Sequence, residues 1–133
     1  NDRMPNINAA LGVAQIEILE KLLKRKRALI NNYFEVFKNI NQIELIKEPN
    51  DCKSNYWLAT LRFTSENTME ANYQRDLLLK AAHANGLFIR PAWTLLNKLP
   101  MYQKSPYGSL RIAQDQAYRL LNLPSSPYLL ISQ

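Results

Sequence analysis

Two stretches of this chain gather side chains suited to gripping an anionic ligand. The first is the head, where Asn1 and Arg3 precede a periodic apolar run that begins at Ile7. A helix starting there offers free first-turn amides and the positive end of its dipole, and a guanidinium can add two parallel hydrogen bonds to a phosphate. The second runs from Arg90 to Tyr102 and places Arg90, Trp93, Thr94, Asn97 and Tyr102 on one segment. A cation, a flat aromatic and amide or hydroxyl groups are what a sugar-nucleotide pocket uses. Each stretch also has a plainer reading: exposed polar residues at a chain start, and a packed surface loop anchored by Trp93.

Other chemistry has little to stand on. The one histidine, His83, falls within a helical pattern with no second histidine or cysteine spaced for a metal. No phosphate-cradling Gly-x-Gly-x-x-Gly, P-loop or Gly-x-Ser-x-Gly occurs. Cys52 is the single cysteine, so it reads as a loop thiol. Seventeen basic against eleven acidic residues give a net charge of +6, concentrated in Lys21, Lys24, Arg25, Lys26 and Arg27. Such a run can bind nucleic acid, but no aromatics interleave it as a stacking surface requires. It reads instead as a solvated helix face with Glu17 and Glu20 as partners.

The elements that must carry these groups follow from periodicity. Ile7, Leu11, Ala14, Ile18, Leu22, Leu29 and Phe34 recur at helical spacing, predicting one helix from Ile7 to about Ile40, roughly 50 Å long and capped by Asn6. Gly12 inside it costs about 1 kcal/mol against alanine, which the close approach of another backbone would offset. Strands are predicted at Ile43–Ile46, Tyr56–Phe63 and Leu87–Arg90, the last halted by Pro91. A second helix starts between Met69 and Tyr73 and ends before Gly86, a left-handed C′ residue. Trp93 to Gly108 reads as a long loop, a length that in compact domains usually signals function. A last helix, capped by Ser109, carries Leu110, Ala113, Ala117, Leu120 and Leu121 inward until Leu123-Pro124 stops it. The resulting expectation is an α+β domain: a three-stranded sheet packed on one face by helices. No apolar run reaches the ~20 residues of a membrane span, and no signal peptide pattern opens the chain, so no membrane association and a cytoplasmic location are expected.

Three motifs resemble one family. Asn1-x-Arg3-Met4-x-Asn6-x-x-Ala9-Ala10-Leu11-Gly12-x-Ala14-Gln15 resembles the segment that follows the cofactor lysine in the DegT/DnrJ/EryC1/StrS family of pyridoxal-phosphate-dependent sugar aminotransferases. Gly86-x-x-x-Arg90-Pro91-x-Trp93-x-x-Leu96-x-x-x-Pro100-x-Tyr102 and the Leu121-x-Leu123-Pro124 signature resemble the family's later segments. The wording of the last two is most similar to the LegC-like branch, which aminates 4-keto-6-deoxy nucleotide sugars.

The resemblance implies that residues 1–133 are the C-terminal small domain of a fold-type I aminotransferase. The large domain and the Schiff-base lysine would lie upstream of Asn1, a start that itself reads as excised from a longer chain. It further implies a homodimer in which Asn1 and Arg3 hold the phosphate of pyridoxal 5'-phosphate in the neighbouring subunit. Arg90, Trp93, Asn97 and Tyr102 would face the nucleotide-sugar substrate, with glutamate the expected amino donor. Asn97 departs from the histidine common in relatives; an amide hydrogen-bonds but does not titrate. None of the nine lysines stands in the family's lysine motif, so the fragment alone is expected to be inactive. The alternative is a stand-alone basic module that binds nucleic acid through Lys24 to Arg27, or a dimerisation module; the preferred reading involves no nucleic acid.

Overall fold

The computed structural model describes residues 3 to 129. Among them the elements run α1 (Asn6–Glu17), α2 (Leu19–Phe37), β1 (Ile43–Leu45), β2 (Ala59–Phe63), α3 (Thr68–Ala84), β3 (Arg90–Pro91), α4 (Arg111–Arg119) and β4 (Leu120–Leu123). Short 3-10 turns at Leu96–Lys98 and Pro100–Tyr102 interrupt the segment between β3 and α4. The α+β expectation holds, with helices packed on one face of the sheet.

The sheet has four strands rather than three, in the order β1-β2-β4-β3, every pair antiparallel. β4 is the strand that periodicity missed. Leu120 and Leu121 continue the helical spacing of Ala113 and Ala117, yet α4 ends at Arg119 and Leu120 is already extended at ψ 139°. Leu121 and Leu123 then alternate with Asn122, the period of a strand ending at Pro124. Pro91, expected to halt β3, lies within it. β3 is an edge strand, and an edge position tolerates a residue without an N–H. The first two expected strands shrink to Ile43–Leu45 and Ala59–Phe63, and of the third, Leu87–Arg90, only Arg90 joins the sheet.

Ala59, Leu61 and Phe63 point to one face, and that face is the core. Ile30 of α2, with Tyr33, Phe34 and Phe37 beside it, packs on Leu45, Ala59 and Leu61. Ala71 and Ala82 of α3 pack with Phe63, Ile89 and Leu121. The small residues on α3 let that helix sit close to the sheet. Its ends are well specified: Asn67 Oδ1 accepts from the amides of Met69 and Glu70. At the other end Gly86 takes φ +75°, and Leu87 N–H and Gly86 N–H donate back to Ala82 O and His83 O. That pattern is a Schellman motif, as the position of Gly86 predicted.

The single long helix does not form. It breaks at Ile18, where ψ is 0°, dividing α1 from α2. Ile16 and Ile18 are β-branched and weaken the helix locally, and only α2 has a sheet to pack against; α1 buries nothing. Asn6 is the first helical residue and Pro5 precedes it, so the expected side-chain cap is absent. Ser109 likewise does not cap α4, whose preceding residue is Leu110. A Cβ on Gly12 would meet nothing within 4 Å, so no other backbone among the described residues approaches it.

The basic run is solvated at Lys21 and Lys24, as expected, but anchored at Lys26 and Arg27, and Glu17 and Glu20 take part in no ion pair among the described residues. Arg27 instead forms a two-pronged pair with Glu48, Nη1 to Oε1 at 2.8 Å and Nη2 to Oε2 at 3.0 Å, and donates to Ser54 O. Lys26 Nζ donates to Ser125 O at 2.6 Å. These contacts tie α2 to the β1–β2 connection and to the segment after β4.

The one buried charged side chain among the described residues is Arg119, 6% exposed. Its Nε donates to both oxygens of Asp115, its Nη1 to Phe63 O and Ser65 O, and its Nη2 to Thr68 Oγ1. The Thr68 hydroxyl and then Arg119 hold the Asp115 carboxyl below its ordinary range. Arg119→Met strands the Phe63 and Ser65 carbonyls, while the Asp115 carboxylate, 32% exposed, keeps access to water, so the fold should lose about 2 kcal/mol. Urea unfolding measures this, and a loss below about 1 kcal/mol would show that Asp115 and the carbonyls find other partners.

Glu48 gives a pH signature. Arg27 and the Ser54 amide lower its carboxyl from 4.5 to about 2. A depressed folded-state value stabilises above the unfolded value and is lost as protons bind, so this contribution fades between about pH 4.5 and 2. Thermal unfolding of Glu48→Gln should depend less steeply on pH across that window than the unsubstituted protein. Parallel curves would remove Glu48 from the account.

Candidate functional site

The segment after β3 builds a cavity of its own. Leu95, Leu96, Asn97, Tyr102, Pro106 and Tyr107 enclose most of a space of about 420 Å³, with Ser105 and Leu110 completing it. The two 3-10 turns create it: each reverses the chain within three residues, so Asn97 and Tyr102 face a common space although the segment lacks regular structure. Pro100 starts the second turn, where its fixed φ and missing N–H cost nothing. The walls are largely apolar, as in small-molecule sites with few polar groups.

Asn97 is the polar group that matters. Its Oδ1 is enclosed and has no hydrogen-bond partner among the described residues, a state it shares with Gln74 Oε1. A buried acceptor left unpaired costs on the order of 1–3 kcal/mol, and such groups in native proteins call for an explanation. The atom has almost no accessible surface, so a ligand donor meets it only if the Asn97 side chain turns toward the cavity its residue lines.

The other expected site residues are distributed differently. Arg90 and Trp93 do not line this cavity. Arg90 is exposed on β3 in register with Asn122, which in turn pairs with Thr60 on β2. These three lie on the sheet face opposite the core. Trp93 is 70% exposed and packs against Trp57, ring centroids 5.9 Å apart. Thr94 is exposed and outside the cavity lining. Arg3 is exposed, just ahead of α1, whose first turn has no side-chain cap and no acidic residue. Asn1 lies outside the described residues. The convergence expected of five residues is therefore a cavity with Asn97 and Tyr102, and a separate aromatic pair beyond Arg90.

The remaining candidates are satisfied structurally. His83 Nε2 is 2.8 Å from Ile89 O and its ring lies against Phe88. Cys52 is a free, exposed thiol. Among the described residues no group of three or more His, Cys, Asp or Glu side chains is placed to hold a metal, and no helix is long and apolar enough to cross a membrane.

Sequence reasoning missed Trp57, Tyr107 and Glu48. Tyr107 had the signal of an aromatic beside Pro106 in the long loop. Trp57 was read only as a strand residue, and its contact with Trp93 spans 36 positions, beyond any local pattern.

Comparison with known proteins gives the family and the fold. The model of the DegT/DnrJ/EryC1/StrS aminotransferase family matches residues 1–131. A GDP-perosamine synthase from Escherichia coli O157:H7 is 34% identical over 132 residues, covering 97% of this chain and 33% of that protein. A GDP-perosamine synthase from Vibrio cholerae is 31% identical over 128 residues, covering 96% of this chain and 34% of that protein. Among solved structures, Helicobacter pylori PseC, an aminotransferase involved in pseudaminic acid biosynthesis, superposes with a TM-score of 0.84 over 98% of this chain and 34% of its own, at 20% identity. The chain thus spans about one third of the length of the curated relatives it matches.

Proposed function

The chain belongs to the DegT/DnrJ/EryC1/StrS aminotransferase family, and on that premise we propose that it is the C-terminal small domain of a cytoplasmic, pyridoxal-phosphate-dependent enzyme that aminates a nucleotide sugar. The single observation that carries this reading is the family match over residues 1–131, and beside it stands a cavity lined by Asn97 and Tyr102 on the segment that resembles the family's substrate loop. The names of the two perosamine synthases support a nucleotide-linked sugar. The LegC-like wording around Arg90 and Leu123 supports a 4-keto-6-deoxy sugar, with glutamate as donor.

Pyridoxal phosphate, when bound, carries the amino group between the donor and the sugar. The residues of this chain hold and orient. Asn97 accepts a hydrogen bond from a substrate hydroxyl or amide and, having no titratable proton, takes no part in proton transfer. Tyr102 bounds the same space and offers a hydroxyl that can donate or accept. Arg90 adds positive charge on the open sheet face for the diphosphate. Arg3, with Asn1, suits the cofactor phosphate, because a guanidinium stands beside uncapped helix amides. The lysine that anchors the cofactor is assigned to the part of the enzyme preceding this domain.

The exposed α1 supports a homodimer. Ile7, Leu11, Val13 and Ile16 are all more than half exposed, with no partner among the described residues of this chain. Packing against the large domain and a second subunit would cover them.

In the full-length enzyme, Asn97→Ala should lower kcat/KM for the nucleotide sugar by about tenfold, the equivalent of one lost hydrogen bond. Tyr102→Ala should act in the same direction. The KM for the amino donor and pyridoxal phosphate occupancy should stay unchanged in both. Unaltered nucleotide-sugar kinetics in both variants would return these residues to a packing role.

A further inference from the structure

We infer that Trp57 and Trp93 together form an open aromatic clamp for the base of a nucleoside diphosphate, making Trp57 a second ring of the substrate site. This deepens the nucleotide-sugar reading above and rests on it.

The chain is bent in two places to make the pair. Ala59 pairs with Leu123, and Ser125 Oγ donates to Trp57 O, so Trp57 sits level with Ser125. β3 runs along β4 in the same direction as β2 but leads away from Ser125: Arg90 pairs with Asn122, Pro91 with Leu121, and Ala92 N–H donates to Leu120 O. Continued in register, Trp93 would travel away from Trp57. Their rings nevertheless lie 5.9 Å apart with planes inclined at 37°. The chain therefore folds back after Ala92 to bring one indole to the other.

Trp57 is fixed in place by more than packing. Tyr56 holds φ +46°, the left-handed region that a bulky side chain rarely adopts. Its ring lies under Arg27, whose guanidinium carbon is 5.5 Å from the ring centroid, and its amide donates to Ser54 Oγ at 2.9 Å. Trp57 N–H donates to Asn55 Oδ1 at 2.9 Å. Arg27 and Glu48 lock the loop from behind. Strain maintained by surrounding contacts clusters at sites where a side chain must be aimed.

What is aimed is an indole left in solvent. Trp57 is 65% exposed and Trp93 70%, although indoles normally bury most of their surface. Inclined rings that do not close on each other leave faces free for a third flat ring, and base-on-aromatic stacking suits any base because every base has a π-face. Arg90 precedes Trp93 by three residues on the open sheet face, positioned for the diphosphate rather than the base. Asn97 follows it by four and lines the cavity assigned to the sugar. Base, diphosphate and sugar thus find an aromatic pair, a cation and an amide along one segment.

The test uses the full-length enzyme with UDP, GDP and dTDP, each without sugar, and reads dissociation constants by calorimetry. At least one should bind the unsubstituted enzyme. Trp57→Ala should weaken that binding about tenfold, while Trp57→Phe should retain most of it, and the KM for the amino donor should not move. Equal nucleotide binding in Trp57→Ala and the unsubstituted enzyme would overturn the inference, as would a loss restricted to subunit association. So would weakening seen with the complete nucleotide sugar but with no free nucleoside diphosphate, which would place the rings on the sugar. An unsubstituted enzyme that binds no nucleotide and aminates no nucleotide sugar would overturn the underlying reading as well; one that aminates normally would sink only the clamp.

Discussion

The geometry of this domain depends on one buried guanidinium. Arg119 stands where α4 becomes β4, and its donors reach the end of β2 through Phe63 O and Ser65 O and the start of α3 through Thr68. Asp115, one turn back on α4, neutralises it. Taking such a charge out of water is costly unless every donor is used, and here all three nitrogens are. The consequence is directional. With α4 ended at Arg119, Leu120 to Leu123 must extend, and β4 enters between β2 and β3. Without that insertion β3 would have no neighbour, and neither Arg90 nor the segment after it would have a fixed place.

Function is built outward from this frame on irregular chain. The core face of the sheet is filled by α2 and α3, leaving the opposite face and the strand ends open for the proposed ligand contacts. The cavity around Asn97 and the corner at Tyr56 and Trp57 both lie on connections rather than on helices or strands. Each is stiffened locally, the first by two 3-10 turns and the second by the Arg27–Glu48 pair. Loops held by a rigid scaffold are where binding residues concentrate, and such stiffening limits the ordering cost when a ligand arrives.

Much of this was legible in the sequence because it depends on short-range rules. Gly86 announced the left-handed end of α3, although the Asn67 cap of that helix was not foreseen, and the length of the segment after Pro91 marked it as more than a connection. Three long-range effects were not. Leu120 and Leu121 fit a helix by spacing alone; what makes them a strand is pairing with Leu61 and Arg62, far away in the chain. Arg27 and Lys26 looked solvated because their partners, Glu48 and Ser125, are 21 and 99 residues distant. The aromatic pair was half visible, since Trp93 stood in a suggestive loop while Trp57 looked like one more strand residue. The family resemblance supplied the roles of Arg3, Arg90, Asn97 and Tyr102, but only the structure separated the cavity residues from those on the open face.

The central claim is that Asn97 Oδ1 is unpaired because a substrate group completes it. A crystal structure of the full-length enzyme with its nucleotide sugar bound tests this most directly. The account predicts a substrate donor within about 3 Å of Asn97 Oδ1, with the sugar inside the cavity bounded by Leu96, Tyr102 and Tyr107. A bound substrate that leaves Asn97 Oδ1 unpaired and that cavity vacant would contradict it.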